Sequence, residues 1–386
     1  VLSRRTGWDR TANRLSMLVA RLRAEGTRVL DLTLTNPTQA GLGPPPDVLA
    51  GLAASEGLRY EPDPFGLYAA REAVAADYVR RGVAVSPERV LLTASTSEAY
   101  GCLFKLLCDP GDEVLVPRPS YPLFDYLAGL ESVTTAAYPL VYAGEWHLDL
   151  EGLAQAVGPR TRAVVVVSPH NPTGSFLKDE EAGAVLALAA RHGLAVIADE
   201  VFTDYAWRPD VRRAPSLAAD GPALAFSLGG LSKACGLPQL KLAWTVLSGP
   251  EEQVGEARAR LEIVADTYLS VSTPVQVALP ELLRRRAELA APIAARVEQN
   301  RRALGQRLQT DGPATLLDGE GGWAAVLRVP ATVAEEELVT TLLEREHVLV
   351  QPGYFFDFPG EGYLVLSLLT PPPDLAEGMK RLLRVL

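Results

Sequence analysis

Short apolar runs alternate with amphipathic stretches through the middle of the chain. "RVLLTAS" (89–95), "EVLVPRP" (113–119), "RAVVVVSP" (162–169), "LAVIADE" (194–200), "ALAFSL" (223–228) and "LAWTVLSG" (242–249) are rich in Val, Leu and Ile. They lack the apolar–polar alternation of a half-exposed strand, so they read as strands covered on both faces. Helical periodicity fills the gaps, as in "DEEAGAVLALAARHG" (179–193). Strand and helix in turn predict an α/β class: a three-layer α/β/α domain around a mainly parallel sheet. After Pro250 the pattern changes. "EEQVGEARARLEIVADTY" (251–268) and "PELLRRRAELAAPIAARVEQNRRALGQRLQTDG" (280–312) read as long charged helices, with "RRRAE" as a solvated face. "GWAAVLRVP", "EELVTTLLEREH", "VLVQPG" and "YLVLSLL" then give strand, helix, strand, strand. This predicts a second, smaller α+β domain, with the N-terminal helix "TANRLSMLVARLRAEG" packed on it. The expected division is 45–285 for the large domain, and 1–44 with 286–386 for the small one.

A length of 386 residues suits about two domains of ordinary size. The net charge of −10 argues against a nucleic-acid partner, which calls for a basic face, and so against a DNA-binding sensor. No G-x-G-x-x-G opens a helix after a strand, which disfavours a dinucleotide site. The four histidines, His147, His170, His192 and His347, are not spaced as metal ligands. Cys102, Cys108 and Cys235 are odd in number and lack metal spacing. They are expected as small buried residues rather than disulfide halves, which favours a reducing compartment. "RRTGWDR" does not read as a signal peptide, and no apolar run is long enough to span a bilayer. The expectation is a cytoplasmic protein.

Polar residues cluster where the apolar runs end. In an open α/β sheet the carboxyl ends of the strands form the ligand crevice. "TASTSEAY" (93–100) ends a strand and starts a helix. Ser95, Thr96 and Ser97 beside helix N–H groups suit a phosphate, and the same residues serve equally as a plain N-cap with Glu98 in the first turn. Tyr121 in "RPSYPLF" is either a stacking surface for a planar ring or a half-buried loop tyrosine. Asn171 in "SPHNPTGSFL" is either an amide donor to a ring oxygen or part of a bare turn. Asp199 in "VIADEVFTDYAW" ends a buried strand and needs a cation or donor; Glu200 has the weaker claim. The chain holds only five lysines, and "GGLSKACGLPQLKLAW" (229–244) contains two of them, Lys233 and Lys241. A partly desolvated Lys233 is a nucleophile for a carbonyl, and Lys241 supplies fixed charge to a phosphate. Two surface lysines is the alternative, against which their scarcity and apolar neighbours count.

The chain resembles the fold-type I pyridoxal-phosphate enzymes, within them the class I/II aminotransferases. The resemblance runs over nearly the whole length, through "YEPDPFGLYAAREAVAADY", "SPHNPTG", "ADEVF", "GLSKACGLPQLKLAW" and "VQPGYFF…YLVLSLL". It implies an enzyme moving an amino group between an amino acid and a keto acid, with pyridoxal 5′-phosphate as cofactor. Lys233 would form the Schiff base and shuttle the proton. Asp199 would keep the ring nitrogen protonated, so that the ring acts as an electron sink. Asn171 would bond the phenolic oxygen and Tyr121 would stack on the ring. Ser95, Thr96, Ser97, Ser232 and Lys241 would hold the phosphate, and Tyr60 would reach the phosphate of a neighbouring subunit. That last role implies a homodimer with shared active sites.

Three positions depart from the family pattern. Phe202 stands where the resemblance expects a tyrosine on the phenolic oxygen, with Tyr205 as a candidate substitute. Gly230 stands in place of a serine three residues before Lys233. Val365 stands in place of the arginine that pairs with the substrate carboxylate, a role valine cannot fill. Another arginine reaches in, or Asn171 and backbone donors hold the carboxylate, or the substrate has none at that place. The same residues also suit a β-lyase, or an enzyme that cyclises or oxidises an amino acid.

Overall fold

The computed structural model describes residues 1–310 and 312–386. Among these, eight strands form the large sheet: β1 (Val90–Thr93), β2 (Glu113–Arg118), β3 (Thr134–Tyr142), β4 (Trp146–Leu148), β5 (Thr161–Val167), β6 (Ala195–Asp199), β7 (Ala225–Gly230) and β8 (Ala243–Ser248). Their order is β1-β8-β7-β6-β5-β2-β3-β4. The run β7-β6-β5-β2-β3 is parallel, while β8 is antiparallel to both its neighbours and β4 to β3. Because β8 is reversed, β1 runs the same way as β7. The carboxyl ends of β1, β2, β5, β6 and β7 therefore open on one edge.

The unbroken apolar runs follow from burial on both faces. Along β5, Ala163 and Val165 join one hydrophobic cluster while Val164 and Val166 join another on the opposite face. Helix Thr96–Leu107 packs Ala99, Leu103 and Phe104 into the first layer, and helix Asp179–His192 packs Ala182, Val185 and Ala189 into the second. That second helix stops at Gly193, whose φ of 66° is the left-handed conformation glycine adopts without steric cost.

The hairpin β3–β4 is the part of the large sheet that the apolar pattern missed. Only Tyr138 and Leu140 of β3 are buried, Pro139 interrupts the run, and β4 lies at the sheet edge. Such a strand looks neither continuous nor cleanly alternating.

The small sheet holds β9 (Thr315–Leu316), β10 (Ala324–Arg328), β11 (Gln351–Pro352) and β12 (Tyr363–Ser367), ordered β9-β10-β12-β11 with antiparallel pairing throughout. Leu30–Asp31 pairs in parallel with Val348–Leu349. Leu15, Leu18 and Leu22 of helix Arg14–Ala24 share a core with Leu338, Leu342 and Leu343 of helix Glu335–Glu346. The N-terminal helix thus packs on the small sheet's side.

The long helical run after Pro250 divides. Glu251–Tyr268 is one helix, and the expected 280–312 helix is instead the end of Thr273–Arg284 followed by Arg286–Thr310. The arginine run is not wholly a solvated face. Arg286 is buried, its guanidinium between Asp77 and Asp204, with the second pair bonded at 2.8 Å. No helix among the described residues is long and apolar enough to cross a membrane.

Candidate active site

A cavity of about 340 Å³ opens at the shared carboxyl edge. Thr96, Ser97, Tyr121, Asn171, Asp199 and Lys233 all line it, so stretches 137 residues apart in sequence meet in one space (Thr96 to Lys233). The small sheet and the turn leading into it contribute Trp323, Ala324, Gln351, Val365, Leu366 and Ser367, and the N-terminal segment contributes Thr35.

Asp199 is the last residue of β6, paired with Val167 of β5, and lines the cavity. Its Oδ1 accepts from the Val201 N–H at 3.2 Å and its Oδ2 from the Tyr100 hydroxyl at 3.2 Å. Burial pushes the carboxyl up to about 6, and these donors and Lys233 offset only part of the rise. Among the described residues no cation stands within ion-pair distance of this carboxylate. Tyr100 belongs to "TASTSEAY", whose local pattern does not mark it as a site residue. It lies one helical turn after Thr96, so both project from the same face of helix Thr96–Leu107.

Lys233 follows β7 in a single helical turn, Leu231–Ala234. Burial lowers its ammonium below the ordinary lysine value, with Asp199 opposing the shift. Its Nζ lies 4.8 Å from the Trp323 ring centre and 5.4 Å from that of Phe202. The Tyr205 hydroxyl donates to the Lys233 carbonyl at 2.7 Å, which fixes the turn's backbone. Phe202, Tyr205 and Trp323 meet edge to face, with centroids 5.0–6.5 Å apart. Tyr205 is therefore not a substitute donor to the cavity; its hydroxyl is engaged behind the lysine. Gly229 is required on close approach: a Cβ there would stand 2.4 Å from the Trp244 Nε1.

Four expected residues do not line the cavity. Ser95 caps helix Thr96–Leu107, its Oγ accepting from the Glu98 N–H at 3.1 Å, so its hydroxyl follows the plain N-cap reading. Ser232 is half-buried beside Lys233, and Lys241 is exposed in a left-handed conformation with φ 52°. Tyr60 is 77% exposed and borders a separate groove. Glu200 is buried in a different setting, accepting from Ser216, from the Leu217 N–H at 2.8 Å and from Arg81 at 3.2 Å.

The departures are all visible in place. Phe202 lines the cavity and brings no donor. Gly230 backs onto Ala243 of β8, where a Cβ would meet the alanine methyl at 3.1 Å. Val365 is buried in the lining, and among the described lining residues there is no arginine.

The family described as "Aminotransferase class I and II" matches residues 27–382. A glutamate-pyruvate aminotransferase of Escherichia coli (strain K12) is 29% identical over 382 residues, covering 95% of this chain and 92% of that one. An alanine aminotransferase of Mycobacterium tuberculosis (strain ATCC 25618 / H37Rv) is 30% identical over 377 residues, covering 94% and 86%. The solved structure of an alanine aminotransferase from Pyrococcus furiosus superposes with a TM-score of 0.90 at 26% identity, covering 100% and 99%.

Proposed function

Because the chain belongs to the class I and II aminotransferases, we propose that it carries an amino group between an amino acid and a keto acid on pyridoxal 5′-phosphate joined to Lys233. The observation that carries this reading is the pairing, in one largely apolar cavity, of a lysine with a lowered ammonium pKa and a half-buried carboxylate with a raised pKa and no close cation among the described residues. A group with an aldehyde, a protonated ring nitrogen and a phosphate fits that donor set. The cofactor, when bound, supplies the aldehyde that captures amines and the ring that takes up electrons.

The chain's own residues supply the rest. Lys233 Nζ would hold the cofactor and, as a free amine, would take the proton from the substrate α-carbon. The burial that lowers its ammonium favours the neutral amine that such a base requires. Asp199 holds the proton on the ring nitrogen, and Tyr100 and Val201 hold Asp199 in place. Asn171 would donate to the phenolic oxygen, and Tyr121 in the same lining would stack on the ring. Thr96 and Ser97, at the N-terminus of helix Thr96–Leu107, take the phosphate. Ser232 and Lys241 complete that cup from outside the lining, together with the backbone at Ser95. Tyr60, exposed in the single chain, completes the site of a second copy in a cytoplasmic homodimer.

Alanine, glutamate and their keto acids are the first donors and acceptors to try, since relatives are named for them. The reconstituted protein should convert its cofactor absorbance to that of the aminated form with a donor, and back with a keto acid. A protein that binds the cofactor yet shows no conversion with any donor would contradict the proposal.

A further inference from the structure

A carboxylate taken out of water needs a cation or a full set of donors. Among the described residues lining the cavity, Asp199 and Lys233 are the only acidic or basic side chains, and Lys233 is committed to the chemistry. Arg118, two residues before the lining residue Ser120, has its guanidinium on Asp125 at 3.3 Å and on Asp357. The wall presented by the small domain is Trp323, Val365 and Leu366, with Phe356 beside them.

Strand pairing sets a neutral amide beside this wall. Gln351 pairs directly with Val365 across β11 and β12, and opposed residues on antiparallel strands place their side chains on the same face of the sheet. Gln351 is half-buried and lines the cavity. Ser367 is already engaged, its Oγ donating to the Leu34 carbonyl and accepting from the Leu369 N–H at 3.1 Å. A glutamine amide both donates and accepts, so it matches a carboxamide on both of its ends, whereas a carboxylate only accepts.

We infer that the cavity binds the group beside the substrate's α-carbon in uncharged form through the Gln351 amide, so that the enzyme takes amino-acid amides at least as well as free amino acids. The inference rests on the aminotransferase reading and narrows its substrate class. Non-reacting probes separate binding from turnover: 2-aminoisobutyric acid and its primary amide lack the α-hydrogen. Each is titrated into the reconstituted holoenzyme, the cofactor spectrum is followed, and dissociation constants are expressed per unprotonated amine.

The amide is expected to bind as tightly as the acid or more tightly, and Gln351→Arg is expected to shift the ratio at least tenfold toward the acid. Tighter binding of the acid by the wild-type enzyme overturns the inference, as does a Gln351→Arg ratio that does not move. The wild-type comparison stands without the variant should that variant fail to fold. Failure of the underlying reading looks different: ordinary amino donors then leave the cofactor unconverted, whichever probe binds better.

Discussion

Replacing Asp199 by Asn separates what the residue does for function from what it does for the fold. Its carboxyl rises from 3.8 to about 6 on burial. The folded value lies above the unfolded one, so ionisation of this group opposes folding. The cost is absent well below about pH 4, grows as pH rises to about 6, and is constant above that. A rise of about 2 units corresponds to about 3 kcal/mol. Asn keeps an oxygen for the Val201 N–H but loses the second acceptor that faces Tyr100, at about 1 kcal/mol for one hydrogen bond. The cofactor-free Asn variant should therefore be more stable than wild type by about 2 kcal/mol at about pH 8, with the gap closing as pH falls between about 6 and 4 and reversing to about 1 kcal/mol in favour of wild type at lower pH. Parallel urea denaturation of both cofactor-free proteins across that pH range measures it. Added cofactor should stabilise the wild type more than the variant, because the cation it brings needs the carboxylate. A gap that does not change with pH, or a variant less stable at every pH, would refute the claim that an ionised, cation-starved carboxylate sits at the end of β6.

Tyr205→Phe removes the donor to the Lys233 carbonyl; a stability loss of about 1 kcal/mol by denaturation is expected, with a lower kcat and little change in KM. Gly229→Ala forces a methyl against the Trp244 indole and should destabilise the protein by about 1–3 kcal/mol, read as a lowered unfolding midpoint. Phe202→Tyr places a hydroxyl in the cavity lining, where it can donate to the cofactor's phenolic oxygen. The pH at which the bound cofactor changes colour should then fall relative to wild type, followed by absorbance titration.

The central strands were legible because burial on both faces leaves runs such as "RAVVVV" with no polar interruption. The candidate cavity's lining was legible where a polar residue coincides with a strand end, as at Asp199 and Lys233. Edge strands β3 and β4 were not, since an edge tolerates Pro139 and exposed positions. Tyr100 and Trp323 were missed for a different reason. Tyr100 reaches Asp199 only once a helix and a strand 99 residues apart are packed, and Trp323 covers Lys233 only across the join between the two sheets. The N-cap that the stretch around Ser95 offers by itself is the bond its hydroxyl makes. Local pattern misread Arg286 because a charged run carries no sign of the buried Asp77 and Asp204 that turn it inward.

The measurement that bears most directly on the account is borohydride reduction of the protein incubated with pyridoxal 5′-phosphate, followed by peptide mapping. The account predicts one stable adduct per chain, on Lys233 Nζ, and its loss in Lys233→Ala. An adduct mapping to another lysine, or a protein that cannot be labelled at all, would contradict it.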